Sequence, residues 1–327
     1  MQENITMSKT GSTLNQGADS DQKPSLLQMR GLPTPTGFEE ASGPLPYKMT
    51  NDAMFHIVFE ACPKALAAFV GALLHLSPEE IISVEVTNPI TYDSVYSKAF
   101  ILDLKILLNG NAVLNIEMQV ESLNFWQERS LGYLCRAFDN LNRGDGYLKV
   151  KSAIHVGILD FPLDPKDKTF YSTYYMMNEQ TQKKYSDKLQ LSVLQLRQIA
   201  NATEEDRAWH LDLWAKFFKA ETWEEIHMIA EQDPYIAMAA QTNYRACTDE
   251  RIRSLCEGRE EGEKTLRTLQ MMCEMSQQAL VKQSEEFRQA LQQKDEVLQQ
   301  KDEVIQQTQA ENSRLRAELD ALRQQNR

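Results

Sequence analysis

The spacing of apolar residues predicts two helices and then a series of strands in the first two thirds of the chain. Residues 52–62 carry apolar side chains at helical intervals after polar capping residues, and Pro63 suits the first turn of a second helix ending near Leu76. Six segments have the composition of strands, and a predicted helix from Trp126 to about Asn142 lies between the third and the fourth. These segments are Ile81–Asn88, Ala99–Leu108, Ala112–Val120, Val150–Phe161, Tyr171–Met177 and Leu189–Leu196. This order predicts an α/β fold, a mixed sheet flanked by helices.

The last third of the chain has a helical pattern throughout. The run Glu-Gly-Arg-Glu-Glu-Gly at residues 257–262 is charged and contains two glycines, so we expect a solvated hinge there. Two similar heptads, Gln-Lys-Asp-Glu-Val-Leu-Gln and Gln-Lys-Asp-Glu-Val-Ile-Gln, then fill residues 293–306. They place Leu298, Ile305 and later Asn312 at one core position of a parallel coiled-coil dimer. Lysines and a threonine at facing core positions weaken this repeat, so a solitary solvated helix is the alternative.

These patterns divide the chain into five regions. Residues 1–46 are rich in Ser, Thr, Gly, Gln and Pro without an apolar period, which predicts a disordered leader. Order is therefore expected to begin near Tyr47. The remaining regions are the α/β domain at 47–199, a helical region at 200–256, a charged hinge and helix at 257–286, and a coiled coil at 287–327.

The net charge of −12 is unevenly distributed along the chain. Residues 200–327 carry 17 basic and 25 acidic side chains, whereas residues 47–199 carry 15 and 17. The acidity of the whole chain argues against a nucleic-acid-binding protein, which normally shows a basic surface. The middle region is nearly neutral and does not exclude DNA. We therefore expect DNA binding to depend on local contacts and a metal ion.

Cysteine use and the apolar segments predict a cytoplasmic protein that does not contact a membrane. The five cysteines are odd in number and form no CxxC pair, which favours reduced thiols over disulfides or a zinc site. The N-terminus lacks the apolar segment of a secretory signal. The longest apolar stretch, Ala65–Leu76, is too short to span a bilayer.

Two acidic residues, Asp103 and Glu117, interrupt otherwise apolar strand segments. A carboxylate among Ile, Leu and Val is costly to bury unless it is paired or binds a cation. Carboxylate oxygens are the ligands that Mg²⁺ requires, so the two residues form a candidate metal site. Strand alternation puts Lys105 on the face of Asp103, and Gln119 on the face of Glu117. The alternative is that both carboxylates face solvent on a half-exposed sheet.

The loop between these two strands decides whether Asp103 and Glu117 share a face. A two-residue turn within the Asn-Gly-Asn sequence at residues 109–111 would put them on opposite faces of the sheet. A three-residue loop at Leu108–Gly110 would place them diagonally on one face, and a loop of residues 109–111 would make them direct partners. The metal site therefore requires an odd-numbered loop or a bulge.

Several short motifs follow one another between residues 47 and 198. They are Asn51-Asp52-Ala-Met-Phe55-His-Ile-Val-Phe59, Leu102-Asp103, Asn115-Ile-Glu117-Met-Gln119, Arg129-Ser-Leu-Gly-Tyr133, Gly144-Asp-Gly-Tyr147 and Ile158-Leu-Asp160-Phe161. With the charged glycine run at 257–262, they resemble the PD-(D/E)XK nuclease family transposases, also called Rpn family recombination-promoting nucleases. The resemblance implies a restriction-endonuclease-like core and a metal-dependent DNA endonuclease linked to recombination or mobile elements.

The resemblance also implies roles for individual residues. Asp103 and Glu117 would bind Mg²⁺ or Mn²⁺. Gln119 stands where the wider superfamily has the lysine of its Asp…Glu-x-Lys motif, which orients the attacking water. The family itself commonly has Glu-x-Gln, and Lys105 is the candidate substitute for that lysine. Asp52 is the candidate acidic residue of the first helix.

Arg129 and Tyr133 lie one turn apart on a predicted helix and are candidate phosphate contacts, with ordinary surface positions as the alternative. His155 is interpreted as a core or strand-face residue. We expect an enzyme that hydrolyses phosphodiester bonds in DNA and forms a homodimer through its coiled coil. A degenerate nuclease fold that binds DNA or assembles without cleavage is one alternative. A coiled-coil adaptor that recognises a partner protein is the other.

Overall fold

The computed structural model describes residues 35–88, 104–121 and 125–325, with side chains up to Leu319. The helices are α1 Asp52–Ala61, α2 Pro63–Leu74, α3 Trp126–Phe138, α4 Glu204–Ala208, α5 Leu211–Lys219, α6 Trp223–Ala230, α7 Pro234–Thr248 and α8 Glu250–Gln325. The strands are β1 Val84–Val86, β2 Leu104–Leu108, β3 Ala112–Gln119, β4 Ser152–Leu159, β5 Tyr171–Tyr174 and β6 Leu189–Gln195. The predicted α/β class and element order are confirmed, β1, β4 and β5 are shorter than predicted, and residues 99–103 of the predicted second strand lie outside the described ranges.

The six strands form one mixed sheet in the order β1-β2-β3-β4-β6-β5. The pairs β1–β2, β2–β3 and β5–β6 are antiparallel, whereas β3–β4 and β4–β6 are parallel. Helix α3 connects the parallel strands β3 and β4 and packs on both. The central strands are therefore covered, as parallel pairing requires.

Helices from distant parts of the chain share one hydrophobic core on the other face of the sheet. Helix α1 begins with Asn51 as its cap, whose side chain accepts from the Met54 amide, and buries nearly every residue. It packs against α2, α7 and β3. Phe59 and Phe69 stack on each other, and Trp214 of α5 lies against both rings. The region predicted at 200–256 therefore belongs to the same compact unit, which ends at Arg259.

A three-residue loop, residues 109–111, joins β2 and β3, because Leu108 pairs with Ala112 and Leu104 with Ile116. Asn109 and Gly110 both adopt positive φ angles in it. The side chain of Asn109 accepts from the amides of Ile82 and Ser83, which ties the loop to the segment before β1. This anchoring favours the odd-numbered loop over a two-residue Asn-Gly turn.

The prediction that order begins near Tyr47 is wrong. Phe38 is buried and contacts the rings of Trp223 and Tyr244. Leu45 is buried too, and its amide donates to the Glu221 carbonyl. These isolated apolar residues insert into the helical core, although the surrounding composition is typical of a disordered segment. Residues 1–34 of the predicted leader lie outside the described part of the chain.

The predicted hinge at residues 257–262 is also wrong, because α8 continues through both glycines without a break. A glycine inside a helix costs about 1 kcal/mol relative to alanine. The Glu, Arg and Lys residues around Gly258 and Gly262 are good helix formers, and they sustain the helix. Residues 260–327 form a second unit, in which the predicted coiled coil stays a prediction.

In the described ranges, no single helix is long and apolar enough to cross a membrane. The bent pair α1 and α2, which meet at 111°, passes that test by length and composition. Both helices are mostly buried in the core.

Candidate active site

Alternate residues of β3 divide between an apolar face and a polar face. Leu114, Ile116 and Met118 are buried in the main core. Asn115 and Glu117 point to the opposite face, where α3 packs, and both are buried. Two polar side chains under a helix require partners, because burying them unpaired is costly.

The carboxylate of Glu117 is 2% exposed and lies between two basic side chains. Its Oε1 atom is 2.6 Å from Nη2 of Arg129, on the second turn of α3. Its Oε2 atom is 3.8 Å from Nε2 of His155, on β4. The side chain of Arg129 is 34% exposed, so the guanidinium reaches from solvent to the buried carboxylate.

His155 is fully buried beside Glu117 and is uncharged near neutral pH. Burial, and to a lesser extent the positive charge of Arg129, lower its pKa to about 4. Nδ2 of Asn115 is 3.1 Å from Nδ1 of His155. Because an amide nitrogen donates and does not accept, we assign Nδ1 as the acceptor and the ring hydrogen to Nε2. That hydrogen is then on the nitrogen nearest to Glu117.

Helix α3 holds this cluster with a stack of side chains. The ring of Tyr133 lies parallel to that of His155, at 5.7 Å between centroids and 10° between planes. The guanidinium of Arg129 lies over the Tyr133 ring at 5.5 Å. Helix α3 approaches the sheet closely because Gly157 faces Trp126. A Cβ atom at Gly157 would be 2.2 Å from a Trp126 ring carbon.

The structure brings some of the predicted site residues together and separates others. Lys105 pairs with Asn115 in the sheet register, two residues along the strand from Glu117. Gln119 is half-buried, and its Nε2 donates to the Glu121 carbonyl at 3.1 Å. Asp52 begins α1 as predicted, but its carboxylate pairs with Arg259 of α8. Asp103 lies outside the described residues.

Sequence reasoning missed the contribution of His155 and Asn115 to this site. They are neighbours only because β3 and β4 pair in parallel, with Asn115 opposite His155. The sequence signal was a histidine within an apolar strand, which also fits an ordinary core residue. Parallel pairing joins strands that are far apart in sequence, so spacing alone could not reveal the contact.

The donor atoms around Glu117 are suited to a divalent cation but do not complete a site by themselves. Within residues 35–88, 104–121 and 125–325, no group of three His, Cys, Asp or Glu side chains could hold a metal ion. A buried carboxylate offers the hard oxygen atoms that Mg²⁺ and Mn²⁺ prefer. Glu117 therefore fits one ligand position, and a second carboxylate is needed beside it.

One comparison with known proteins identifies the family. A family model described as PD-(D/E)XK nuclease family transposase matches residues 49–266. The matched range contains Glu117, His155 and Arg129, together with every described strand of the sheet. No curated protein and no solved structure matches the chain.

Proposed function

Because the chain belongs to the PD-(D/E)XK nuclease family transposases, we propose that it is a metal-dependent endonuclease that hydrolyses phosphodiester bonds in DNA at the Glu117 site. Its mixed sheet with flanking helices is consistent with a restriction-endonuclease-like α/β fold. The observation that carries the proposal is a buried carboxylate, 2% exposed, beside an arginine that reaches it from solvent. A carboxylate is seldom buried among apolar strands without a functional reason.

The register of the β2–β3 hairpin supports Asp103 as the second carboxylate. The three-residue loop pairs Leu104 with Ile116. One step further along each strand, the sequence has Asp103 and Glu117. This is the odd-numbered loop that a shared site requires. The position of Asp103 is part of the proposal, since that residue lies outside the described ranges.

We assign each side chain a separate part of the proposed reaction. Asp103 and Glu117 would hold Mg²⁺ or Mn²⁺, which when bound supplies an activated water and stabilises the leaving oxygen. His155, whose Nε2 is 3.8 Å from Oε2 of Glu117, would limit how far the carboxylate can turn. The half-exposed guanidinium of Arg129 contacts a phosphate of the DNA, and the nearby Tyr133 ring supports it.

Lys105 is the proposed source of positive charge in place of the superfamily lysine. Gln119 is neutral and cannot supply that charge. Lys105 is half-buried on the face that carries Asn115 and Glu117. The test compares cleavage by Lys105→Gln and Lys105→Arg. If Lys105 provides charge, the arginine variant keeps most of the activity and the glutamine variant loses it; equal activities would contradict the assignment.

Plasmid nicking with Mg²⁺ or Mn²⁺ tests the endonuclease directly. We expect cleavage by the wild-type chain and its loss in Asp103→Ala and in Glu117→Ala. Ile116→Val, on the opposite face of β3, is the matched control and should cleave normally. Equal activity in the two carboxylate variants and the wild type would contradict the assignment of the site.

A degenerate nuclease fold that binds DNA without cleaving it is the second candidate function. The observation in its favour is that Arg129 already neutralises Glu117 at 2.6 Å, so the carboxylate has a counter-charge without a metal ion. Calorimetric titration with Mg²⁺ separates the two candidates. A nuclease should bind Mg²⁺ through its carboxylates. A module that only binds DNA does not need the ion, so absence of Mg²⁺ binding would favour it.

We also propose that two copies of the chain associate through α8. Leu291, Leu298, Ile305 and Leu319 lie on a seven-residue spacing or its multiple, and each is about half exposed. The double variant Leu298→Lys/Ile305→Lys should reduce the mass measured by light scattering from dimer to monomer. Gln299→Lys/Gln306→Lys is the control, with the same added charge one position away. A mass unaffected by the first double variant would exclude this interface.

A further inference from the structure

The loop end of the β5–β6 hairpin lies against the segment that precedes β4. The backbone carbonyl of Lys188 accepts from the Ala153 amide at 2.8 Å. Nζ of the same lysine donates to the Val150 carbonyl at 2.9 Å. These contacts join residues 174–188 of the hairpin to residues 143–151, and we call the two segments together the hairpin patch.

The hairpin patch exposes large apolar side chains. Tyr147 is 90% exposed, Leu148 is 100% exposed and Tyr185 is 80% exposed. Met176 and Met177, on the hairpin, are 56% and 48% exposed. Single exposed apolar residues are ordinary, but several together on one surface indicate a site of interaction.

The charge of the hairpin patch is opposite to that of the whole chain. The patch contains six basic residues and three acidic residues, whereas the chain carries −12. Lys149 and Lys184 form ion pairs with acidic residues of the patch. Lys151 and Lys183 lie four and two residues from the exposed tyrosines in the sequence, and no ion pair is found for either among the described contacts. Positive charge interleaved with aromatic rings suits a polyanion that also has flat rings.

We propose that the hairpin patch binds a single-stranded segment of DNA, with bases stacked on Tyr147 and Tyr185 and phosphates near Lys151 and Lys183. The inference rests on the proposed function, because it supplies the substrate for the Glu117 site. In a duplex each base is covered on both faces by neighbouring bases. A duplex therefore offers no free base face to the rings of Tyr147 and Tyr185, which are 90% and 80% exposed. Unpaired bases offer those faces, and each stacked base contributes about 1–3 kcal/mol.

Strand β4 links the hairpin patch to the Glu117 site. Gly157 of β4 pairs with Glu117, and Ala153 lies four residues earlier on the same strand. Four residues of a strand span about 13 Å. Ala153, which is hydrogen-bonded to the patch, is therefore about 13 Å along β4 from the residue that pairs with Glu117.

The test is fluorescence anisotropy with labelled oligonucleotides of about 12 nucleotides, single-stranded or duplex, and the full-length protein. EDTA is present, so that binding is measured without cleavage. We expect the wild type to bind the single strand at least about tenfold more tightly than the duplex. Tyr147→Ser/Tyr185→Ser should weaken single-strand binding by about tenfold or more. Lys151→Gln/Lys183→Gln should weaken it and reduce its dependence on salt.

The matched control is Lys64→Gln/Tyr235→Ser, which changes an exposed lysine of α2 and an exposed tyrosine of α7. It should bind DNA as the wild type does. Equal affinity of the tyrosine variant and the wild type for the single strand would overturn the proposal, as would equal wild-type affinity for both oligonucleotides. Failure of plasmid nicking would contradict the endonuclease and leave this binding result unchanged, so the two failures can be told apart.

Discussion

The two faces of β3 have different tasks although their residues alternate along one strand. Leu114, Ile116 and Met118 enter a core built by helices from both ends of the α/β unit. Asn115 and Glu117 lie under α3, where each has a polar partner. One strand thus contributes to the core on one side and carries the polar groups of the proposed site on the other. Substitutions on the two faces should therefore affect different measurements.

The helices that pack on the two faces of β3 leave different amounts of side-chain surface exposed to solvent. Helices α1, α2, α5 and α7 close the apolar face and leave its residues almost without solvent contact. Helix α3 closes the polar face and leaves Arg129 34% exposed. On the polar face, Arg129 thus connects solvent with the buried carboxylate of Glu117.

The largest expected effect is that of Arg129→Gln on the polar face. We expect cleavage to fall by about 100-fold, the usual cost of removing one charged or hydrogen-bonding group beside a reacting phosphate. The affinity for Mn²⁺ should rise, because the guanidinium no longer competes for Glu117. Arg136→Gln, in the last turn of the same helix, is the control and should change neither quantity. A loss of Mn²⁺ affinity in Arg129→Gln would show that Arg129 does not compete with the ion.

Ile116→Ala tests the apolar face. The side chain is fully buried, so its truncation should lower the free energy of unfolding by about 2–5 kcal/mol. Cleavage per folded molecule should stay close to the wild-type value. Urea denaturation and plasmid nicking at a temperature where the variant is folded provide the two measurements. A large loss of cleavage with unchanged stability would reverse the assignment of the two faces.

The pH dependence of stability tests the burial of His155 on the polar face. Its pKa of about 4 in the folded protein lies below the ordinary value of 6.5. The unfolded chain thus binds more protons between these values, and the folded state loses stability as pH falls from 6.5 towards 4. The loss is at most about 3 kcal/mol. His155→Gln should lose less stability over this range than the wild type, and equal losses in the two proteins would contradict the burial of His155 as the cause.

Gly157→Ala tests the role of α3 and should lower stability less than Ile116→Ala does. The new Cβ would meet Trp126 at 2.2 Å and push the helix away from the sheet. We expect the free energy of unfolding to fall by about 1–3 kcal/mol, together with a loss of cleavage, because Arg129 moves with the helix. Gly132→Ala is the control, since nothing lies within 4 Å of that position on α3. It should stabilise the protein slightly.

Local patterns in the sequence were sufficient for the helices and strands but not for their assembly. The capped helix at Asp52 and the strand at Ala112–Gln119 follow from periodicity, and the structure confirms both. The strand of Glu117 was predicted to carry a candidate ligand. The surroundings of Glu117 were not predicted. His155 reaches Glu117 through parallel strand pairing and Arg129 through helix packing, and spacing in the sequence encodes neither contact.

The wrong predictions also have physical causes. Composition favoured a disordered segment up to residue 46, but Phe38 and Leu45 find apolar partners in distant helices. Two glycines favoured a hinge at residues 257–262, but neighbouring helix formers outweigh their cost. Tertiary contacts outweighed local composition in the first case, and the helix propensity of the neighbouring residues outweighed the glycines in the second.

The central claim, that Glu117 belongs to a metal-binding nuclease site, is tested most directly by calorimetric titration of the full-length protein with Mg²⁺. We predict binding by the wild type, loss of that binding in Glu117→Gln, and normal binding in Ile116→Val. Absence of binding by the wild type, or equal binding by Glu117→Gln, would contradict it.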